Sequence, residues 1–216
     1  EQARTEGADL IIAVDPDADR CALAVPDPTS ETGWSPLSGD QIGSLLGEFL
    51  ASRGMKGSLA NSIVSSRLLS RIARAHGLDH HTTLTGFKWI ARAPGLGFGY
   101  EEAIGFCPDP AHVRDKDGIA TSVVAASLVA ALKAQGRSVW DELERLARLH
   151  GLHVSSPLTF RVEQIEQIAS GMARLRAQPP SVLAGSPVVE VSDLSQGYRG
   201  LPPTDGVLVL TEAGDR

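Results

Sequence analysis

The chain has 216 residues, of which 42% are hydrophobic, and a formal net charge of -6 at pH 7. The apolar fraction is enough for a buried core, and the length fits one large domain or two small ones. The acidic balance argues against a nucleic-acid surface and no apolar stretch approaches the roughly 20 residues that cross a bilayer, so we expect a cytoplasmic protein that binds neither nucleic acid nor membrane.

Residues 1–35 predict a strand, an acidic loop and a second strand. Five consecutive apolar residues, Leu10 to Val14, precede the loop, and apolar residues resume from Ala22 to Val25. Because the first run is uniformly apolar, we predict a strand that is buried on both faces, as in the interior of an α/β sheet. Residues 26–36 are rich in Pro, Ser, Thr and Gly, which predicts a turn or linker with a domain boundary near residue 35.

Predicted helices and strands alternate from residue 36 to residue 150, which is typical of an α/β domain. Ser38 or Asp40 is suited to cap a helix whose apolar face is Ile42, Leu45, Leu46, Phe49 and Leu50. The next predicted elements are a strand within 58–66, a helix within 66–77, a strand within 80–86, a short helix from Phe87 and a glycine-rich strand within 95–106. Two further helices are predicted, one from Asp117 with the stripe Ile119, Val123, Val124, Leu128 and Leu132, and one over 139–149 that stops at Gly151.

The last segment, residues 151–216, does not continue the alternation of helices and strands. It predicts a strand over 157–162, a helix over 165–175, a proline-rich turn, and two short strands around Val188 and Val207. This order predicts a separate, smaller α+β unit. Its final residues, GVLVLTEAGDR, are typical of a hairpin strand followed by its turn.

The acidic loop carries three carboxylates at every second position, Asp15, Asp17 and Asp19. In a turn this spacing can aim three oxygens at one point, which favours a hard divalent cation, although a solvated acidic turn fits the same residues. An EF-hand is excluded, because its sixth and twelfth positions would be Arg20 and Pro26 in place of Gly and Glu. A phosphohydrolase of the haloacid dehalogenase type stays open, with Asp15 as nucleophile and Asp17 as acid.

Three later segments carry candidate ligand groups. Glu101 and Glu102 lie between glycines, residues 85–90 (TGFKWI) combine a hydroxyl, a cation and two aromatic rings, and Arg114 and Lys116 precede a helix start that favours phosphate. Each also fits a plain structural role, as an exposed pair, a packed turn and a solvated helix cap. The two cysteines and six histidines have no partners at ligand spacing, which predicts neither a disulfide nor a zinc site.

Taken in order, DPDADR, TGFKWI, GYEEAIGF and RDKDG resemble the signature segments of the α-D-phosphohexomutase superfamily. The resemblance covers nearly the whole chain and implies mixed-sheet α/β domains around a central cleft, followed by part of a smaller α+β domain. It implies that residues 1–35 end the second domain of the family, that 36–150 form the third and that 151–216 begin the fourth.

The resemblance also implies a role for particular residues. Asp15, Asp17 and Asp19 would bind Mg²⁺, Arg20 would face a phosphoserine or the substrate, Thr85, Gly86 and Glu101 would contact the sugar, Lys116 would lie near the substrate phosphate, and Arg67 would assist proton transfer or contact phosphate. Many members have a serine where this chain has Ala103, which leaves the choice between hexose and pentose open.

The implied activity is a sugar-phosphate mutase acting on glucose, mannose or ribose phosphates. The phosphoserine that the family uses is absent from these residues, so we expect the chain to need the missing domains of the same polypeptide and to be inactive alone. A domain that binds sugar phosphate without turnover remains an alternative.

Overall fold

The computed structural model describes residues 1–216, which form two compact units, residues 1–155 and residues 156–216. The predicted boundary near residue 35 falls inside the first unit, and the assignment of its parts to two domains of a longer protein stays a prediction. The elements of the first unit are α1 (Gln2–Thr5), β1 (Ile11–Val14), β2 (Cys21–Pro26), β3 (Trp34–Pro36), α2 (Gly39–Ser52), β4 (Ser58–Ser62), α3 (Leu68–Ala75), β5 (His80–Thr83), α4 (Phe87–Ile90), β6 (Leu96–Glu101), β7 (Gly105–Cys107), α5 (Gly118–Ala134) and α6 (Val139–His150).

The predicted strand, loop and strand at the start of the chain are confirmed, but the burial of the first strand is not. β1, β2 and β3 form an antiparallel sheet in that order, with β1 at its edge. Ile12 and Val14 of β1 are 38% and 46% exposed. The prediction was wrong because α5 covers only one face of this sheet. The other face of an antiparallel sheet can stay open to solvent.

The second sheet has the order β5-β4-β6-β7 and is mixed. β5, β4 and β6 are parallel, and β7 returns antiparallel to β6 through a tight turn. The glycine-rich segment predicted as one strand is therefore a hairpin. Parallel strands bring their carboxyl ends to one edge, so the turns after β4, β5 and β6 share that edge of the sheet.

Helix α2 begins where the sequence predicts, and Ser38 is its cap. The Ser38 hydroxyl accepts a hydrogen bond from the Gln41 amide at 3.2 Å, and the Gln41 side chain accepts one from the Ser38 amide at 2.8 Å. Asp40, the other candidate cap, is buried instead. Its carboxylate accepts hydrogen bonds from the Ser66 amide at 2.7 Å, the Tyr100 hydroxyl at 2.8 Å and the Ser155 hydroxyl, which ties α2 to the sheet.

Only part of the stripe predicted for α5 is buried. Leu128 and Leu132 lie in the core, whereas Ile119 and Val123 are 67% and 63% exposed. Apolar residues surround this helix on all sides, so their spacing cannot locate the buried face. The core that α5 shares with the other helices and both sheets is formed by Cys21, Leu23, Val25, Ile42, Leu45, Leu46, Leu59, Leu69, Ile72, Phe98, Tyr100, Phe106, Ala125 and Leu146, among others.

The second unit contains α7 (Glu166–Ala177), β8 (Val182–Leu183), β9 (Ser186–Asp193) and β10 (Val207–Thr211). The three strands form an antiparallel sheet in the order β10-β9-β8, which confirms the predicted helix and two later strands. The predicted strand over 157–162 is wrong. That segment has no regular structure, and Leu158 and Phe160 are 80% and 78% exposed, because no strand pairs with it.

No single helix of the structure is long and apolar enough to cross a membrane. The neighbours α5 and α6 meet the length and composition criteria only when taken together, and they are bent by 89° at the break between them.

Candidate functional site

The acidic loop between β1 and β2 gathers its three aspartates. The Arg20 amide donates a hydrogen bond to Asp15 Oδ1 at 3.0 Å, and Ala18 turns the loop with a φ of +58°. One carboxylate oxygen from each of Asp15, Asp17 and Asp19 lies within 4.8 Å of the others. Three anionic oxygen donors this close together form the donor set that a hard divalent cation prefers.

Asp15 is held in its charged form by this backbone geometry. The hydrogen bond from the Arg20 amide lowers the pKa of Asp15, and it outweighs the partial burial of the carboxyl group, which acts in the opposite direction. Asp15 and Asp19 are half-buried, whereas Asp17 and Arg20 are exposed. The predicted metal residues therefore present a cluster of negative charge at the surface of the first unit.

The first residue of α5, Gly118, supports the loop from below. Its amide donates a hydrogen bond to the Ala18 carbonyl at 3.0 Å. A Cβ atom at this position would lie 2.6 Å from the carbonyl oxygens of both Ala18 and Arg20. Only glycine lets the helix approach the loop this closely.

The acidic loop is also joined to the β6–β7 hairpin. Arg20 forms a β-bridge with Gly105, and the Cys21 amide donates to the Ile104 carbonyl at 3.1 Å. Glu101 ends β6 directly opposite Gly105. The hairpin thus brings the predicted sugar residue beside the predicted metal residues, although more than 80 residues separate them in the sequence.

Glu101 is 7% exposed. Burial raises its pKa, and the charge of Glu102 adds to the effect, while Lys116 and Arg20 oppose it. A buried carboxylate is suited to accept hydrogen bonds from the hydroxyls of a ligand.

Glu102 points elsewhere and has partners of its own, which sequence reasoning missed. Its Oε2 accepts hydrogen bonds from Ser62 Oγ at 2.9 Å and from Ser65 Oγ at 2.7 Å. Ser62 is the last residue of β4, and Ser65 lies in the turn that follows. Both serines fall within the segment 58–66 that the sequence predicts as a strand, and their order in the chain does not indicate a contact with Glu102.

Lys116 connects the parts of the site. Its Nζ lies 2.9 Å from Asp19 Oδ2 and 3.6 Å from Asp115 Oδ1, and it lies 5.5 Å from the centre of the Phe87 ring. Burial disfavours the charge of Lys116, but the hydrogen bond to Asp19 and the nearby carboxylates outweigh burial and raise its pKa. The predicted phosphate residue is therefore a cation at neutral pH, in contact with the acidic loop.

The predicted sugar residues Thr85 and Gly86 reach this region through Phe87. Gly86 has a φ of +106°, which turns the chain from β5 into α4, and Phe87 is buried beneath Lys116. Arg114 fixes the neighbouring segment to α4, since its Nε donates to the Ala91 carbonyl at 2.7 Å. The TGFKWI segment thus borders the site.

Arg67 lies outside both the acidic loop and the β6–β7 hairpin. It is the residue before α3 and its side chain is exposed, close enough to His153 for their charges to interact. Its implied part in proton transfer or phosphate contact stays a prediction.

Both cysteines are buried, and they are free, as predicted. Burial raises the pKa of Cys21, and it raises the pKa of Cys107 to about 12. Neither thiol is therefore ionised at neutral pH, and neither is a candidate nucleophile.

Comparisons with known proteins find a matching family and several relatives. Residues 38–149 match the family model "Phosphoglucomutase/phosphomannomutase, alpha/beta/alpha domain III". A "Probable phosphomannomutase" of Haemophilus influenzae is 42% identical over 193 residues, which cover 88% of this chain and 39% of that protein. A phosphoglucomutase of Staphylococcus aureus strain MRSA252 is 32% identical over 206 residues, which cover 89% of this chain and 37% of that protein.

Solved structures show the same fold. A protein from Thermus thermophilus superposes with a TM-score of 0.64 at 24% identity, over 94% of this chain and 38% of that one. The open form of the phosphoglucomutase parafusin from Paramecium gives a TM-score of 0.61 at 19% identity, over 96% of this chain and 37% of that one. The chain thus spans well under half the length of the proteins that it resembles.

Proposed function

The chain belongs to the phosphoglucomutase/phosphomannomutase family of the α-D-phosphohexomutase superfamily, and we propose that the complete protein is a magnesium-dependent sugar-phosphate mutase. It moves a phosphoryl group between the 1-position and the 6- or 5-position of an aldose phosphate. The observation that carries this proposal is the convergence of three aspartates, Lys116 and Glu101 on one surface of the first unit. These groups supply, in one place, what a metal ion, a phosphate and a sugar each require.

The aspartates form the proposed magnesium site. Asp15, Asp17 and Asp19 offer only anionic oxygen atoms, and these lie within 4.8 Å of one another, so the donor set fits Mg²⁺. When bound, the ion neutralises negative charge on the phosphoryl group that is transferred. Gly118 and the Arg20 amide hold the loop in the shape that gathers the carboxylates.

We assign phosphate binding to two cations. Lys116 contacts Asp19 and keeps its positive charge, so it holds a phosphate oxygen next to the metal loop. Arg20 is exposed beside the same loop, where its guanidinium pairs with the phosphate of the substrate or of the phosphoserine. Positioning and charge stabilisation of this kind provide much of the rate enhancement in phosphoryl transfer.

Glu101 orients the sugar. Its carboxylate accepts hydrogen bonds from sugar hydroxyls, and Thr85 and Gly86 border the sugar on the α4 side. Because the site exchanges phosphate between two ends of the sugar, the same hydroxyl contacts serve both orientations of the substrate. Ala103 provides no hydroxyl, so the choice between hexose and pentose depends on the remaining contacts.

The phosphoryl donor is proposed to be a phosphoserine in a part of the polypeptide outside these 216 residues. Its phosphoryl group passes to the sugar, the resulting bisphosphate turns, and the other phosphoryl group returns to the serine. Family membership favours this cycle over a phosphohydrolase in which Asp15 is the nucleophile. Inorganic phosphate would be the product of that alternative.

The test uses the complete protein. Conversion of the phosphates of glucose, mannose and ribose is measured with Mg²⁺ and after chelation with EDTA, in the wild type, Asp17→Asn and the control Asp79→Asn. Asp79 lies just before β5, at the opposite end of its sheet from the site. We expect Asp17→Asn to lose mutase activity with an unchanged free energy of unfolding, since it removes a metal ligand and no core packing, while Asp79→Asn keeps both.

Retained mutase activity of Asp17→Asn in the presence of Mg²⁺ would contradict the metal assignment. Release of inorganic phosphate without isomerisation would favour the phosphohydrolase. Tight binding of sugar phosphate by the wild type with no turnover at all would favour a binding domain.

A further inference from the structure

Glu102, the residue after the proposed sugar contact, is anchored to the centre of the second sheet. Its Oε2 accepts hydrogen bonds from Ser62 Oγ and Ser65 Oγ, and these two hydroxyl oxygens are 2.8 Å apart. Each serine is only 1% exposed. Since Ser62 ends β4, which is paired on both sides, the anchor belongs to a rigid part of the fold.

The backbone of Glu102 is fixed as well. A Cβ atom at Gly39, the first residue of α2, would lie 2.0 Å from the Glu102 carbonyl oxygen. Helix α2 therefore packs directly against this peptide group. Side chain and backbone are held from two different elements, so the turn that Glu102 begins has little freedom to move.

Glu101 is the last residue of β6, and Glu102 is the first residue of the turn that follows. The two side chains have different surroundings, since Glu102 bonds Ser62 and Ser65 whereas Glu101 lies opposite Gly105 across the hairpin. A Cβ atom at Gly105, across the hairpin, would lie 3.1 Å from Glu101 Cγ and 2.6 Å from Lys116 Cδ. The absence of a side chain there leaves Glu101 next to Lys116 and the acidic loop.

We propose that Glu102 is a positioning residue that, through Ser62 and Ser65, fixes the β6–β7 turn and so holds Glu101 in place to bind the sugar. This inference rests on the proposed function. It gives the two adjacent glutamates different tasks, since Glu101 contacts substrate and Glu102 acts only through Glu101.

A double-mutant cycle in the complete protein separates these tasks. The variants are Glu101→Gln, Glu102→Ala, the two combined, and Glu102→Gln, which keeps an oxygen that accepts hydrogen bonds from the serines. Glu144→Ala, an exposed change on α6, is the control. For each variant, kcat and KM are measured together with the affinity for glucose 1-phosphate by calorimetry and the free energy of unfolding in urea.

We expect Glu102→Ala to lower kcat/KM roughly 10- to 100-fold, because a displacement of about 1 Å at a positioned group has effects of this size. Glu102→Gln should recover most of the loss. In the Glu101→Gln background, Glu102→Ala should lower kcat/KM by less than about threefold, since the effects of residues that act through one another are not additive. Glu144→Ala should match the wild type.

If the loss of kcat/KM in the double variant equals the product of the two single losses, the proposal is overturned, because Glu102 then contributes independently of Glu101. Wild-type kinetics in Glu102→Ala would overturn it too. If Glu102→Ala does not fold, Ser65→Ala removes the 2.7 Å contact and must show the same non-additive pattern. An unchanged affinity in Glu101→Gln would instead reject Glu101 as the sugar contact, and this inference with it.

Discussion

Replacement of Gly118 by alanine tests whether α5 sets the shape of the acidic loop. The added Cβ atom would lie 2.6 Å from the carbonyl oxygens of Ala18 and Arg20. Both oxygens belong to the backbone, so no side chain can rotate away to relieve the contact. Either the start of α5 or the loop must move, and the Gly118 hydrogen bond to Ala18 is strained in both cases.

The expected cost follows from the size of the overlap. The contact is about 1 Å inside the ~3.5 Å separation at which nonbonded heavy atoms attract, and over-packing of this kind typically costs ~1–3 kcal/mol. Ala18 lies between Asp17 and Asp19, so a shift of its peptide also disturbs the 4.8 Å grouping of the carboxylate oxygens. We expect the affinity for Mg²⁺ to fall at least about tenfold, which corresponds to ~1.4 kcal/mol.

The assay combines urea unfolding with calorimetric titration of Mg²⁺ in the complete protein. Gly171→Ala is the matched control, because Gly171 lies within α7 and a Cβ atom there would have nothing within 4 Å. The control should be neutral or more stable by ~0.5–1 kcal/mol and should bind Mg²⁺ like the wild type. Gly118→Ala with stability within about 0.5 kcal/mol of the wild type and unchanged metal affinity would refute the reasoning.

Two further predictions concern buried polar groups. Burial and the neighbouring His81 lower the pKa of His80 from 6.5 to about 4, so the folded chain resists a proton that the unfolded chain accepts. The neutral His80 side chain therefore contributes up to ~3 kcal/mol to stability above pH 6.5, and this contribution is lost as the pH falls towards 4. His80→Gln should remove this part of the pH dependence of the free energy of unfolding in urea. Identical pH profiles for the variant and the wild type would contradict the prediction. Tyr100→Phe removes a 2.8 Å hydrogen bond to the buried Asp40 and should cost ~1–3 kcal/mol, and an unchanged free energy of unfolding would contradict this expectation.

The sequence predicts the parts of the site that are local in the chain. The spacing of Asp15, Asp17 and Asp19 after an apolar run predicts a cluster, and the structure shows their oxygen atoms together. The capping role of Ser38 and the helix start at Asp117 are also local, since each depends on a side chain that bonds an amide three residues away. Such short-range hydrogen bonds leave a direct trace in residue order.

Contacts between distant residues leave no such trace. Ser62 and Ser65 meet Glu102 across 40 and 37 positions, so their partnership depends on the pairing of β4 with β6. The burial predicted for β1 and α5 differs from the observed burial for a related reason. A continuous apolar run is compatible with two buried faces or with one. Only the neighbours that the fold provides decide between them.

The backbone hydrogen bond from Cys21 to Ile104 affects how the site opens locally. It joins the strand that leaves the acidic loop to the turn that follows Glu101 and Glu102, and the Gly118 amide joins the same loop to α5. Local opening of the loop must therefore break bonds in the hairpin and at the helix start together. The three segments should exchange their amide protons with solvent as one cooperative unit, so that the proposed metal site and the proposed sugar site are either both formed or both lost.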